Sequence, residues 1–316
     1  MNPKMTNKVK VSLHDFWLDG SIGHTDSLGR DLGKLFLKCL FEKDTRSKFQ
    51  EISVMSHFYE HGTFSRYRNL IKRVPSYLGK DPLSKRKKLH GHLNRNYALN
   101  KNHLNVWYTP ENLRPPLDEP FNIFLTHDLD DYDGRNIYLP IWATRLGLNI
   151  QESTTFQDSL ISKRITTVSG KKEICAIISN PEPIRMAFLN ELKKYFVVDI
   201  YGAFGLPVTD KANILKNYKV NICFENDEYP GYVTEKPFEA WLGGCIPVWR
   251  GLDSGGYINQ QAIVDVTHLG FKESISRINS IMNSNEEYVR ISGLPILKKK
   301  YDYQKLIHMV ENLQSI

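Results

Sequence analysis

No apolar run in this 316-residue chain approaches the ~18–20 residues a membrane-spanning helix needs, and Met1–Lys10 is polar, without the apolar core of a secretory signal. Export and integral membrane anchoring are therefore not expected. Cysteine is scarce. The four residues, Cys39, Cys175, Cys223 and Cys245, form no C-x-x-C pair, which argues against zinc fingers and thioredoxin-type chemistry. Cys175 and Cys223 sit in apolar, strand-like runs and read as buried thiols, so a reducing cytoplasm is the expected compartment. There is no internal repeat of about 20–50 residues and no long low-complexity tract. What is present is ordinary for a globular protein, with 41% apolar and 24% charged residues. The length fits one large domain or two.

Lys and Arg number 42 against 35 Asp and Glu, a net charge of +7. The excess favours anionic partners: nucleic acid, a membrane surface or phosphorylated small molecules. Gly79–His92 carries Lys80, Lys85, Arg86, Lys87 and Lys88. It reads as a solvated basic loop or helix face, or as a contact to an anionic membrane or a lipid-linked substrate. The run also resembles a nuclear localisation signal, a match common by chance. Leu294–Ile316, with Lys298, Lys299 and Lys300, has helical spacing and reads equally as a packing helix or a membrane-surface helix. Peripheral contact with the inner membrane surface therefore stays open. The basic runs are interrupted and no RNA- or DNA-binding motif accompanies them, so nucleic acid is not an expected partner.

In the first half, Val9–Trp17, Ile52–Phe58, Leu104–Tyr108 and Phe121–Thr126 read as strands. Thr155–Lys172 has little periodicity and reads as the interdomain linker, with the boundary at 160/161. The second half is more regular. Strands are expected at Glu173–Ser179, Val197–Tyr201, Val220–Phe224, Cys245–Trp249 and Ala262–Val266. Pro183–Phe196 reads as a helix, with Ile184, Phe188, Leu192 and Phe196 on one face and Pro183 in its first turn. A second helix runs from about Thr234 to Leu242 and stops at Gly243-Gly244. Strands alternating with helices predict an α/β fold with a parallel sheet, which binds ligands at the carboxyl ends of its strands.

The most informative stretch is Tyr218–Gly251. An apolar strand delivers Phe224-Glu225-Asn226 to its carboxyl end, and Tyr232-Val233-Thr234-Glu235-Lys236 then opens a helix. Thr234 reads as the N-cap. The free amides and dipole of the helix start, with Lys236, suit a diphosphate. Glu235 suits a sugar diol, as the acidic residue of a dinucleotide fold does. An ordinary capped helix with surface Glu and Lys would look the same. Arg185, in the first turn after Ser179-Asn180-Pro181, can grip phosphate bidentately or simply face solvent. Glu111, just past the strand ending at Tyr108, is a candidate general base or a surface carboxylate. A rival signal is Asp128-Leu129-Asp130 after His127, a short Asp-x-Asp that can chelate a nucleotide-bound metal; Asp131 and Asp133 thicken it.

Phe224-Glu225-Asn226, Tyr232-Val233-Thr234-Glu235-Lys236, Gly244 and Ile246-Pro247-Val248, in that order, resemble the α1,3/α1,4-fucosyltransferase family. Asn180-Pro181 with Arg185 resembles its donor-binding arginine segment. Tyr108-Thr109-Pro110-Glu111-Asn112 is similar to the segment that holds the base in bacterial members, with Pro110 where those usually have glycine. The resemblance covers about 173–251 strongly and about 104–145 moderately. It implies a GT-B architecture of two Rossmann-like domains with parallel sheets facing a cleft: 1–160 for the acceptor and 161–316, with a helical tail, for GDP-fucose. It implies inverting transfer of fucose to a GlcNAc-containing glycan, most readily in α1,3 linkage, with no essential metal or cofactor and a divalent cation at most stimulatory. Glu111 would be the base. Arg185 and Lys236 with the helix start at Thr234 would neutralise the leaving GDP. Asn226, Tyr232 and Glu235 would hold ribose and fucose hydroxyls. Asp227, Glu228, Pro237 and Trp249-Arg250-Gly251 depart from the family pattern and leave the deoxysugar, acceptor and linkage open. The alternatives are another GDP-deoxysugar on the same fold, or a metal-dependent GT-A transferase using Asp128 and Asp130.

Overall fold

The computed structural model describes residues 10–14, 32–42, 51–55, 99, 101–166, 169–203 and 205–315. They form two five-stranded sheets in which every pairing is parallel. The first follows chain order: β1 (Lys10–His14), β2 (Glu51–Met55), β3 (His103–Tyr108), β4 (Ile123–Thr126) and β5 (Asn136–Tyr138). Helix α1 (Leu32–Phe41) lies against β1 and against a 3-10 turn at Ile141–Thr144. The second sheet is built from β6 (Lys172–Ile178), β7 (Val198–Gly202), β8 (Tyr218–Ile222), β9 (Ile246–Trp249) and β10 (Val264–Asp265), in the order β10-β9-β8-β6-β7. Its winding reverses between β6 and β8, which makes the carboxyl ends of those two strands the topological switch point, where such sheets hold ligands. The basic run at 79–92 lies outside the described residues.

Helices α3 (Pro183–Leu192) and α6 (Phe271–Met282) cover one face of the second sheet. Phe188, Leu189, Leu192, Ile275 and Ile278 close there over Ile174, Val220, Ile222 and Val248. Helix α3 ends at Leu192 rather than Phe196, and its inward row is Arg185, Phe188, Leu189 and Leu192, while Ile184 is exposed. Spacings of three and four mixed, not four alone, keep a stripe in register with 3.6 residues per turn. That correction turns Arg185 inward. The remaining helices are α4 (Lys211–Lys216), α5 (Lys236–Leu242) and α7 (Asn285–Ser292). Cys175, Cys223 and Cys245 are buried free thiols.

The stretch expected as an irregular linker from Thr155 begins inside a helix, α2 (Ile150–Leu160), capped by Asn149 accepting from the Glu152 amide. Its inward residues include Ser153 and Gln157, so hydrophobic periodicity does not reveal it. Gln157 Oε1 instead accepts from the Tyr301 amide at 2.6 Å. The following segment is fastened to the second half: Arg164 Nε donates to the Ser292 carbonyl at 2.6 Å, and the guanidinium lies over the Trp241 ring.

The C-terminal segment returns to the first half. Tyr301 donates to the Tyr138 carbonyl at 2.6 Å, Tyr303 donates to the Ala143 carbonyl at 2.8 Å, and the Tyr303 ring meets Phe36. Helix α8 (Gln304–Ser315) buries Leu306 and Val310 in the same core, so part of its apolar face is spent on packing. Of the three tail lysines, Lys299 lies over the Tyr257 ring and Lys300 pairs with Asp158.

Trp142, in the 3-10 turn, is the central wedge between the halves. It is fully buried, 4.9 Å from the Phe238 ring on α5 and edge-on to Tyr257 at 5.4 Å. Its amide donates to the Val233 carbonyl at 3.3 Å. Truncation there opens a cavity that neither half can collapse into alone. Trp142→Ala is expected to cost about 3–5 kcal/mol, read as a lowered urea midpoint. Trp142→Phe should cost much less, because the buried indole Nε1 has no hydrogen-bond partner to lose among the described residues.

Candidate active site

At the switch point, Asn180 follows β6 and Phe224-Glu225-Asn226 follows β8. Arg185, brought inward by α3, joins the two ends. Its Nη1 donates to the Asn180 carbonyl at 2.6 Å. Its Nη2 donates to the carbonyls of Phe224 (2.7 Å) and Glu225 (3.0 Å) and to Asn226 Oδ1 (3.1 Å). Burial draws the guanidinium below arginine's ordinary pKa, against the pull of Glu182 and Glu225. It stays a cation, held at the rim by acceptors that leave its Nε edge and one Nη1 hydrogen for a ligand.

The organising group is a residue that sequence reasoning quoted but gave no role. The Glu225 carboxylate is fully buried and takes four donors: the Thr234 amide (3.0 Å) and hydroxyl (2.8 Å), Lys236 Nζ (2.9 Å) and Trp249 Nε1 (3.2 Å). Thr234 is therefore not the N-cap. Glu235 holds that position without a side-chain cap bond, because the threonine hydroxyl makes a charge-assisted bond to a carboxylate that needs donors. Lys236 also reaches Asn226 Oδ1 at 3.5 Å, so Asn226 bridges the two cations. Glu235 is buried beside Glu239 and the Lys211–Glu239 ion pair. Burial and nearby Glu235 raise the Glu239 carboxyl, against Lys211. The signal that could have found Glu225 is its setting: a lone carboxylate on an apolar strand's end, nine residues before a Thr-x-Lys.

The first half meets this rim through the ends of β3 and β4. Past Tyr108, Thr109 Oγ1 accepts from the Glu111 amide at 3.1 Å and sets the turn. The hydroxyl of buried Tyr232 lies 3.5 Å from Glu111 Oε2, bringing the candidate base to the loop before α5. Burial and the Glu111 charge push the Tyr232 phenol well above its ordinary pKa. Asn112 Nδ2 donates to Asp227 Oδ2 at 2.7 Å, a second crossing of the seam. Gly231 (φ 85°) lets the loop come this close: a β-carbon there would sit 2.3 Å from the His127 carbonyl oxygen.

The rival Asp-x-Asp site does not assemble. Asp128 is buried, ion-paired to Arg114 and hydrogen-bonded by the Tyr132 hydroxyl at 2.6 Å, whereas Asp130 is exposed. No group of three or more His, Cys, Asp or Glu among the described residues is placed to hold a metal. The two separate parallel sheets argue against the GT-A alternative.

His127 is fully buried between Tyr229 and Tyr232, with Arg114 at 3.0 Å from its Nε2. Burial, with the Arg114 charge, pulls its pKa down to about 3. The unfolded chain protonates this histidine below about 6.5 and the folded one does not, so stability is full above that pH and falls as pH drops toward 3. The loss is about 1.4 kcal/mol per pH unit from this group. Between pH 7 and 5, urea midpoints of the native protein should therefore imply a stability loss about 2 kcal/mol larger than that of His127→Gln. Parallel losses would mean that His127 is not held neutral.

Residues 168–293 match the model of the glycosyltransferase family 10 (fucosyltransferase) C-terminal domain. The alpha-(1,3)-fucosyltransferase FucT of Helicobacter pylori is 28% identical over 241 residues, covering 64% of this chain and 50% of that protein. The 4-galactosyl-N-acetylglucosaminide 3-alpha-L-fucosyltransferase 9 of Bos taurus is 39% identical over 94 residues, 28% of this chain and 26% of the relative. The chain thus spans half or less of these curated relatives. A crystal structure of an alpha1,3-fucosyltransferase superposes with a TM-score of 0.64 at 19% identity, covering 100% of this chain and 92% of that one. One solved with GDP-fucose also gives 0.64, at 17% identity over 98% and 91%. Residues 168–293 are thus similar to the C-terminal domain of glycosyltransferase family 10, and the paired parallel sheets have the GT-B fold of the fucosyltransferases of known structure.

Proposed function

We propose that the protein transfers fucose from GDP-fucose to a GlcNAc-containing glycan, forming an α1,3 linkage with inversion at the anomeric carbon. The observation that carries this reading is the approach, across one seam, of a carboxylate past the end of β3 to the loop that leads into a cationic rim: Tyr232 reaches Glu111, and Asn226 joins Arg185 to Lys236. On this reading the first half, to about residue 160, binds acceptor and the second binds donor. Glu111 accepts the proton of the acceptor hydroxyl as that oxygen bonds to the anomeric carbon. The bond from that carbon to the GDP oxygen breaks on the opposite face, and its electron pair leaves with the diphosphate. Arg185 and Lys236 stabilise the charge that builds there, the role a divalent metal has elsewhere. Lys236 has three ammonium hydrogens; Glu225 and Asn226 take two, and the third is left for a phosphate oxygen. Asn226, Tyr232 and Glu235 hold ribose and fucose hydroxyls. The buried free thiols support a reducing cytoplasm as the compartment.

Thermal unfolding with GDP, GDP-fucose or UDP, each with EDTA, tests the donor side without an acceptor. A ligand at 100 times its Kd adds about 2.7 kcal/mol. A raised midpoint with both guanine ligands and none with UDP is expected. Stabilisation by UDP only in the presence of manganese would end this reading, and stronger protection by another GDP-deoxysugar would change the sugar. Glu111→Gln should keep the GDP shift while transfer falls by about 10²-fold or more; near-normal turnover would remove Glu111 from the role. Lys236→Ala should lose most of the GDP shift, and its own midpoint should drop because Glu225 loses its counter-charge.

A further inference from the structure

Arg114 has no role in the chemistry above, yet Asp128, Asn112, His127 and Tyr229 all converge on it at the seam. Its Nη1 pairs with Asp128 Oδ1, and its Nη2 donates to Asn112 Oδ1 and lies 3.0 Å from His127 Nε2. The guanidinium carbon sits 3.4 Å from the centroid of the Tyr229 ring, in the loop of the second half. Arginine is donor only, so His127 Nε2 accepts and the ring proton lies on Nδ1. The Asn112 amide is fixed in the same way. Its oxygen faces the cation and its nitrogen donates to Asp227 at 2.7 Å, so one orientation satisfies both neighbours. A relay Asp128–Arg114–Asn112–Asp227 thus runs from the end of β4, across the seam, to the loop after β8.

Two residues next to Glu111, one along the chain and one across the seam, trace back to this guanidinium. On one side stands Asn112, the next residue in the chain. On the other is Tyr232, whose hydroxyl is 3.5 Å from Glu111 Oε2 and whose ring packs on His127 at 5.4 Å between centroids. Tyr229 meets the same imidazole edge-on at 5.8 Å. We infer that Arg114 is a positioning residue that holds the Glu111 carboxylate in register with the donor loop across the seam between the two halves. It acts through Asn112 on one side and through His127 and Tyr232 on the other. The role needs the planar fork, which serves an anion, an amide oxygen, an imidazole and a ring face at once; a lysine ammonium keeps the charge and loses that geometry. The catalytic consequence rests on the function proposed for Glu111, whereas the structural one stands apart from it.

Arg114→Lys tests both, because it leaves Asp128 with a counter-charge and spares the fold. Amide hydrogen exchange should speed up in peptides covering 109–115 and 227–232 and stay unchanged over 236–242. In transfer assays, kcat should fall about 10- to 100-fold, the scale of a misplacement of about 1 Å. The KM for GDP-fucose and the GDP-induced thermal shift should change less than about 2-fold. Asn112→Ala, which cuts the relay without touching the ion pair, should give the same exchange pattern. A lysine that restores wild-type kcat would reduce Arg114 to a counter-ion for Asp128 and overturn the inference. So would unchanged exchange in both loops, or a kcat loss matched by loss of GDP binding. If native protein shows no guanine-ligand shift while exchange responds to Arg114→Lys, the proposed function fails and the seam relay stands.

Discussion

A single buried carboxylate determines the shape of the cationic rim at the switch point. Glu225 leaves an apolar strand with its side chain fully enclosed, and an ionised group there is tolerable only with a full set of donors. It gathers them from three places: the turn at Thr234, the first helical residue Lys236 and the indole of β9. Strand end, helix start and neighbouring strand are thereby locked to one point. Asn226 and Arg185 take their positions around it. Replacing the carboxylate with an apolar side chain would empty the rim of its organisation while leaving the sheet beneath intact.

Most of the residues that departed from the family pattern have specific partners around the rim. Asp227 bonds Asn112, and Glu228 pairs with Arg250. Trp249 supplies a donor to Glu225, and Pro237 sits near the start of α5, where a missing amide hydrogen costs no helical bond. Of the extra acids after Asn226, Glu228 is thus neutralised by Arg250, whereas Asp227 is tied down by a neutral amide.

Legibility followed physical cause. Parallel strands buried on both faces are continuous apolar runs, so β3, β6, β8 and β9 could be placed to within about two residues. The donor loop was legible because its polar residues crowd one strand end. Three features were hidden for definite reasons. Helix α2 faces inward with Ser153 and Gln157, so its apolar period is broken. Arg185 lies on the buried stripe of α3, where a four-residue row had placed Ile184, because polar residues are not counted in such a row. Arg114 could not be found at all: its partners Asn112, His127, Asp128 and Tyr229 come from three separate stretches, and only the fold brings them together.

The returning C-terminal segment has a consequence for synthesis. Tyr301, Tyr303, Leu306 and Val310 complete a core whose other walls are Phe36, Trp142 and Leu160. A ribosome makes those walls long before it makes their cover. For most of translation the first sheet must wait with an open flank, while the second sheet, with α3 and α6 contiguous in sequence, can close one of its faces first. Vectorial synthesis therefore runs counter to spatial order here: the first sheet is made before its cover, and its aromatic flank stays open until α8 arrives.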